Sequence, residues 1–415
     1  MLKRIGVHQL VLGMHLKEFC GSWLDHPFWR SGFVINDPKD LAAILASSIK
    51  EVWIDCDKGL DVPVGAPSVS EAQAVADVDT QFQEMATGQR QSLPILPVSL
   101  DQEVERAAEI CHQAKKAVVS MFEEARMGKA VDVGGAKQLV EEIADSVARN
   151  PGALISLARL KTVDDYTYMH SVAVCAMMVA LGKQLGLDEA QVRASGQAGL
   201  LHDLGKAVMP MEVLNKPGKL TDAEFAIIKS HPQEGHKMLA DGANVDTMSL
   251  DVCLSHHEKV DGSGYPRRLK GDEISLFAKM GAVCDVYDAI TSNRPYKSGW
   301  DPAESLRKMA EWANGHFDQK VFQAFVKSMG IYPVGSLVRL SSGRIGVVID
   351  QTGKSLTTPR VKLFYSTKSN MRIVPTVLDL SSPDCTDKIM GREDPAKWRF
   401  ADLNELWSGL PQSPW

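Results

Sequence analysis

The stretch Leu200-Leu201-His202-Asp203-Leu204-Gly205-Lys206 decides how this chain is read. An apolar helical run here abruptly carries an imidazole, a carboxylate and an ammonium around a glycine. The apolar residues bury the segment, so its polar groups need compensation. Adjacent His and Asp oriented by a helix can hold a divalent cation between them. A carboxylate has two oxygens and can bridge two metals roughly 3.5–4 Å apart, the arrangement that clamps the attacking and leaving oxygens of a phosphoryl transfer. Asp203 is the candidate bridge.

Further donors lie on neighbouring helical segments: His170, His231 in Ser230-His231-Pro232, the pair His256-His257, and Asp285 in Val283-Cys284-Asp285-Val286. Helices carrying them would converge on one point, and so many borderline donors in one region argue for a metal centre. His8, His15, His26, His112, His236 and His316 are set aside, because an isolated histidine is more often a satisfied polar group than a ligand.

Working outward, apolar residues recur three and four apart from Asp101 to about Met329, as in Val118-Met121-Phe122 and Val321-Phe322-Phe325. Residues 101–330 are read as one all-helical domain. A helix start is placed at Asp101, Thr221-Asp222-Ala223-Glu224 matches a capping box, and stops are placed at Gly218 and Gly330. On the N-terminal side, short apolar runs at Val7 to Met14, Ser31 to Ile35 and Glu51 to Ile54, with one helical stretch at Leu41 to Ser48, predict a small α+β module over 1–65. Residues 66–100 read as a linker too polar to bury much, with a loose helix at Glu71 to Met85.

After Gly330 the period changes to two, in Leu337 to Leu340, Ile345 to Ile349, Val361 to Phe364 and Val374 to Leu378. A small β-rich appendage over 331–380 follows, then a polar tail, 381–415, with a short helix near Pro395 to Leu406 and a frayed end. The expected fold class is multidomain and mainly α.

The 415 residues carry 46 basic and 52 acidic side chains, a formal net charge of −6. That balance, without a long basic run, argues against a nucleic-acid polymer as partner and leaves a small anionic ligand open. Seven scattered cysteines, none in Cys-x-x-Cys, suit free thiols in a reducing compartment, so a cytoplasmic location is expected. The N-terminus lacks a signal-peptide pattern, and the longest apolar run, Val172 to Leu181, is far short of the roughly 20 residues of a membrane span. No membrane attachment is expected.

Two segments, His256-His257-Glu258-Lys259-Val260-Asp261-Gly262-Ser263-Gly264-Tyr265-Pro266 and Ala289-Ile290-Thr291-Ser292-Asn293-Arg294-Pro295-Tyr296-Lys297, together with His202-Asp203, resemble the HD-GYP family of HD-domain metal-dependent phosphohydrolases. The resemblance covers about Val118 to Met329. It implies an HD-type helical bundle with a bi- or trinuclear centre, often of iron or manganese, that hydrolyses cyclic di-GMP to pGpG and in many members on to GMP, lowering the second-messenger level that governs biofilm and motility behaviour. The family's ligand positions fall on His170, His202, Asp203, His231, His256, His257 and Asp285. Members with a third metal carry a Glu four residues before the first ligand histidine. Here that residue is Tyr166, a poor ligand for a hard ion at neutral pH, so two divalent ions are expected. The N-terminal segment, with Gln9 to Met14 and Trp23 to Phe28, resembles a small domain of unknown function found before HD-GYP domains, and is expected to serve structure, partner sensing or homodimerisation.

Within that frame Asp203 and Lys206 are the expected catalytic residues, Lys206 adding positive charge one turn beyond the bridge. Gly264, Tyr265 and Pro266 would shape the substrate wall, glycine permitting close approach. Arg294 and Lys297 are suited to gripping the second phosphate. Asp288, one turn after Asp285, is grouped with them or would orient a ligand or Lys206, and Arg267-Arg268 is an exposed turn. Two alternatives stand beside this reading: a phosphohydrolase acting on another nucleotide such as cyclic GMP-AMP, and a catalytically weak cyclic-dinucleotide receptor.

Overall fold

The computed structural model describes all residues except 22–31, 48, 87–97, 130–132, 162–164, 217–219, 243–244, 293–298, 353–354 and 411–415. The Trp23 to Phe28 segment, Gly218 and the pair Arg294 and Lys297 therefore lie outside the described residues.

The N-terminal sheet comprises β1 (Leu2–Gly6), β2 (His15–Phe19), β3 (Phe33–Val34), β4 (Glu51–Asp55) and β5 (Val69–Ser70), in the order β3-β2-β4-β1-β5 with antiparallel pairings. The apolar run Val7 to Met14 is not a strand: Val7–Gln9 forms a 3-10 turn, and Leu10 and Met14 fold back into the core. Helix α1 (Pro38–Leu45) starts where the Asp37 carboxylate accepts from Lys39 N at 2.8 Å and Pro38 presets the first turn. Its Ile44 joins Ile5, Leu16, Phe19, Val52 and Ile54 in a small separate core.

The helix expected within the linker is a docked structural element, and residues 87–97 of that stretch lie outside the described residues. Helix α2 (Glu71–Ala86) buries Ala74, Val78, Phe82 and Met85, a stripe at three- and four-residue spacing, and the last three join the main core. Its composition is polar because its other faces meet water; one apolar stripe suffices to dock a helix.

The helical domain continues through α3 (Leu100–Arg126), α4 (Val133–Arg149), α5 (Pro151–Arg159), α6 (Tyr166–Gln184), α7 (Glu189–Leu201), α8 (Met211–Leu214), α9 (Asp222–Ile228), α10 (His231–Ala240), α11 (Thr247–Ser255), α12 (Leu276–Thr291), α13 (Pro302–His316) and α14 (Gln319–Met329). Every residue of α6 from Met169 to Gly182 is buried, the mark of a central helix apolar on all sides. It packs against α3, α4, α5, α7, α12 and α14. The capping box read at Thr221 is present: its hydroxyl accepts from Glu224 N, and the Glu224 carboxylate accepts from Thr221 N. Among the described residues no helix is long and apolar enough to cross a membrane.

The second sheet has β6 (Leu337–Leu340), β7 (Arg344–Asp350), β8 (Arg360–Ser366), β9 (Met371–Asp379) and β10 (Ile389–Arg392), antiparallel in the order β10-β6-β7-β8-β9. Leu337, Ile345, Val347, Ile349 and Phe364 face the helical core, while Val338, Leu340, Val348, Val361 and Leu363 pack on the other side. The tail is ordered further than a frayed end would be. β10 completes the sheet, α15 (Pro395–Trp398) and α16 (Leu403–Ser408) follow, and Trp407 is fully buried in the main core.

Candidate metal centre

Local sequence explains how each donor reaches one point. His170 sits in the second turn of α6, and Asp285 midway along α12. His202 ends α7, and Asp203 starts the 3-10 turn Leu204–Val208. His231 opens α10 with Pro232 behind it, and His256 ends α11 with His257 following. Gly205 is the keystone of this convergence. A Cβ there would lie 1.9 Å from His231 O and 2.5 Å from Gly235 N, so only glycine lets the His202-Asp203 segment approach the start of α10.

The Asp203 carboxylate divides the donors into two sets. Oδ2 lies 3.3 Å from His170 Nε2 and 3.4 Å from His202 Nε2, whereas Oδ1 lies 3.2 Å from His231 Nε2 and 3.8 Å from His256 Nε2. Asp285 divides them the same way, with Oδ1 3.1 Å from His170 Nε2 and Oδ2 3.7 Å from His257 Nδ1. Three donor trios, His170/His202/Asp285, His202/Asp203/His256 and His231/His256/His257, each fall within 4.8 Å. Lys206 Nζ pairs with Asp203 Oδ2, beside the first set.

These contacts fit a divalent cation. Imidazole nitrogens face each other at 3.2 Å (His170 and His202) and 3.3 Å (His231 and His256), and Asp203 Oδ1 is buried with no hydrogen-bond partner among the described residues. Converging lone pairs of imidazole and carboxylate are what such an ion requires. Burial works against charge on Asp203 and Asp285, yet Lys206 and His202 around the first and the hydrogen bond from His170 to the second hold both carboxyls well below their usual range. Burial and the neighbouring His202 and His231 push His256 down to about 3, and burial with His256 nearby lowers His257 strongly, so both are neutral ligand-type imidazoles. His170 goes the other way: burial opposes its charge, but hydrogen bonds to Asp203, Asp285 and Asp288 carry it up to about 10.

A family model described as an HD domain matches residues 141–321, and one described as a domain of unknown function, DUF3391, matches residues 2–136. Across its full length the chain is 56% identical, over 418 residues, to the cyclic di-GMP phosphodiesterase PA4108 of Pseudomonas aeruginosa, covering 100% of this chain and 97% of that protein. The chain belongs to the HD-GYP family of metal-dependent phosphohydrolases. Other relatives are similar over less of the chain. The cyclic di-GMP phosphodiesterase response regulator RpfG of Xanthomonas campestris pv. campestris is 38% identical over 41% of this chain and 47% of its own length. The 3′3′-cGAMP-specific phosphodiesterase 1 of Vibrio cholerae serotype O1 is 36% identical over 40% of this chain and 39% of its own length.

In this HD-GYP chain the Gly-Tyr-Pro loop closes over the histidines, the Tyr265 ring lying 4.7 Å from the His257 ring in a stacked arrangement. A Cβ at Gly264 would sit 2.4–2.6 Å from Lys259 N, Glu258 Cα and His257 O, so the loop's tight return needs that glycine. Glu258, which the sequence reading passed over, holds the loop: its buried carboxylate accepts from Arg267 N at 2.7 Å and Leu269 N at 3.0 Å. Of the roles read for Asp288, the contacts fit that of orienting a ligand: it is buried on the outer side of His170, with its oxygens engaged by Lys161, His170 and Ser292 rather than by Lys206. Its i+3 spacing from Asp285 lets both α12 carboxylates reach the same ring on α6, Asp285 at His170 Nε2 and Asp288 at His170 Nδ1. Lys161 was missed altogether, because a lone lysine before a helix carries no signal of burial.

Proposed function

We propose that this chain hydrolyses cyclic di-GMP to linear pGpG at a centre of two divalent ions, iron or manganese, held by His170, His202, Asp203, His231, His256, His257 and Asp285. The observation that carries the reading is the division of labour at Asp203 and Asp285, each turning one oxygen to each of two histidine sets. When bound, the ions acidify a water and neutralise phosphoryl oxygens. Lys206, fixed at Asp203 Oδ2, holds positive charge at the same edge of the centre for the charge that develops on the phosphoryl group. Tyr265, braced against His257, forms one wall for the nucleotide, and Arg294 with Lys297 is assigned to the second phosphate. With Tyr166 stacked on His170 at 5.8 Å in place of a carboxylate, two ions rather than three suit the donor set.

The substrate assignment draws support from the name of the Pseudomonas aeruginosa relative, which is alike along the whole chain. The Vibrio cholerae relative, named for 3′3′-cGAMP, motivates the second reading, because the metal donors are indifferent to the base. Protein purified without oxygen and loaded with iron or manganese is to be given both cyclic dinucleotides. Release of pGpG from cyclic di-GMP at the higher kcat/KM supports the proposal, and further cleavage to GMP extends it. Preference for cyclic GMP-AMP transfers the assignment to the second reading, and tight binding without product makes the chain a receptor.

A further inference from the structure

Four histidines of the centre turn Nε2 inward and Nδ1 outward, and their outer partners differ in kind. His202 Nδ1 donates to Gly199 O at 2.7 Å, His231 Nδ1 to Ile228 O at 2.7 Å, and His256 Nδ1 to Val252 O and Cys253 O at 3.0 Å. Each of these acceptors is a neutral carbonyl of the preceding turn. His170 Nδ1 instead meets Asp288 Oδ2 at 2.7 Å. A carboxylate that is 2% exposed needs a counter-charge, and the ammonium of Lys161, itself 0% exposed, supplies it at 2.7 and 2.5 Å from the two oxygens. Lys161 is held in turn over the Tyr166 ring, 5.3 Å from its centre, and that ring stacks on His170.

We propose that Lys161 is a positioning residue of the metal centre, acting through Asp288 on His170; this rests on the metal-centre reading above. With Lys161 in place, Asp288 is held in line to accept the hydrogen bond from His170 Nδ1–H, so that Nε2 is the nitrogen that offers its lone pair to an ion held together with Asp203 and Asp285. A carboxylate behind a ligand imidazole fixes its tautomer and raises its basicity, and loss of such support weakens metal binding by roughly 10–100-fold. Lys161 thereby sets how firmly the His170 side retains its ion, while the His231 and His256 side depends on backbone alone.

The experiment measures ion release to a chelator from manganese-loaded full-length protein, with bound metal quantified by elemental analysis and folding followed by circular dichroism. Lys161→Met is expected to speed release of one ion about 10-fold, Lys161→Arg to restore most of the difference, and Lys161→Met/Asp288→Asn to release no faster than Asp288→Asn alone. Folded Lys161→Met with wild-type release, or faster release from the double variant than from Asp288→Asn, overturns the proposal. Should Lys161→Met not fold, the comparison of Asp288→Asn with the double variant, in which neither charge remains, decides alone. Wild-type stoichiometry separates the two readings. One ion per chain defeats the two-metal count but leaves the release ratio as a test of Lys161, and no ion defeats both.

Discussion

Two lysine–aspartate pairs of nearly equal length occupy opposite extremes of this protein. Lys161 and Asp288 meet at 2.5 Å with side chains 0% and 2% exposed, whereas Lys50, beside β4, meets Asp261 of the Gly-Tyr-Pro loop at 2.7 Å with side chains 70% and 23% exposed. Their distances are alike, but the effective dielectric around them is not, so solvent gives them different strengths and different consequences. Removing one partner of a buried pair strands the other without water, while an exposed partner is rehydrated at once. The same contrast separates the metal centre, whose charged groups are coupled to one another, from the contact between the N-terminal module and the catalytic domain. That contact includes the exposed Lys50–Asp261 pair, the more buried pair of Lys308 of α13 with Glu18 at 2.8 Å, Lys308 over the Trp53 ring, and Cys20 packed against the main core.

The largest expected effect comes from breaking the coupled region at its centre. Asp203→Ala takes an oxygen from both donor sets at once and leaves Lys206 without its partner. Metal content and turnover are expected to fall together below detection, in protein that still shows wild-type circular dichroism. Retention of both ions would show that Asp203 does not bridge. Next in size is Lys161→Met in metal-free protein, where Asp288 loses its ammonium partner and keeps only His170 as counter-charge, at an expected cost of about 1–3 kcal/mol in urea unfolding. A loss below about 1 kcal/mol would make the buried pair equivalent to a surface one.

A pH series sharpens the contrast without mutation. His170 in metal-free protein has its pKa raised from 6.5 to about 10, burial opposing and the bonds to Asp203, Asp285 and Asp288 prevailing. A raised folded-state value contributes stability that is fully present below about 6.5 and is lost as pH rises through about 10. The melting temperature of the metal-free protein is therefore expected to fall between pH 7 and 10. An ion must displace that proton, so uptake releases it and apparent affinity climbs with pH over the same window, measurable by calorimetry in buffers of different ionisation enthalpy. A pH-independent affinity between 7 and 9 would mean that His170 binds no ion.

The convergence of the candidate donors was legible because His and Asp are the residue types that suit metal chemistry, and because Gly205, Gly264 and the His256-His257 pair occur in long contiguous motifs. What escaped was whatever depends on partners far away in the chain. Lys161 meets Asp288 across 127 positions, and nothing in Leu160-Lys161-Thr162 marks an ammonium as buried. Glu258 stood inside the recognised motif, yet its role appears only when the loop returns to place Arg267 N and Leu269 N around it. Helix α2 was expected as a loose helix within a polar linker, and its docking escaped because composition averages over faces: the four residues Ala74, Val78, Phe82 and Met85 that dock it are a minority of its sequence. Trp407 was taken for part of a frayed tail for the same reason: a single fully buried side chain outweighs a polar neighbourhood.

The smallest effect is expected at the exposed pair. Asp261 Oδ1 accepts from Ser263 N at 2.9 Å and Ser263 Oγ at 2.6 Å, and Asp261 N donates to Gly315 O at 3.0 Å, so the turn keeps its shape without Lys50. Burial opposes ionisation of Asp261, but Lys50 and Ser263 bring its pKa down to about 2. A lowered carboxylate stabilises above its unfolded value near 4 and loses that contribution as pH falls toward 2. Lys50→Ala is therefore expected to cost less than about 1 kcal/mol at pH 7, to shrink further in high salt, and to flatten part of the acid-side decline in stability. The decisive quantity is the ratio of the two lysine variants. If Lys50→Ala destabilises as much as Lys161→Met, burial is not what separates the two pairs, and the N-terminal module is bound to the catalytic loop far more tightly than its solvent-exposed contact implies.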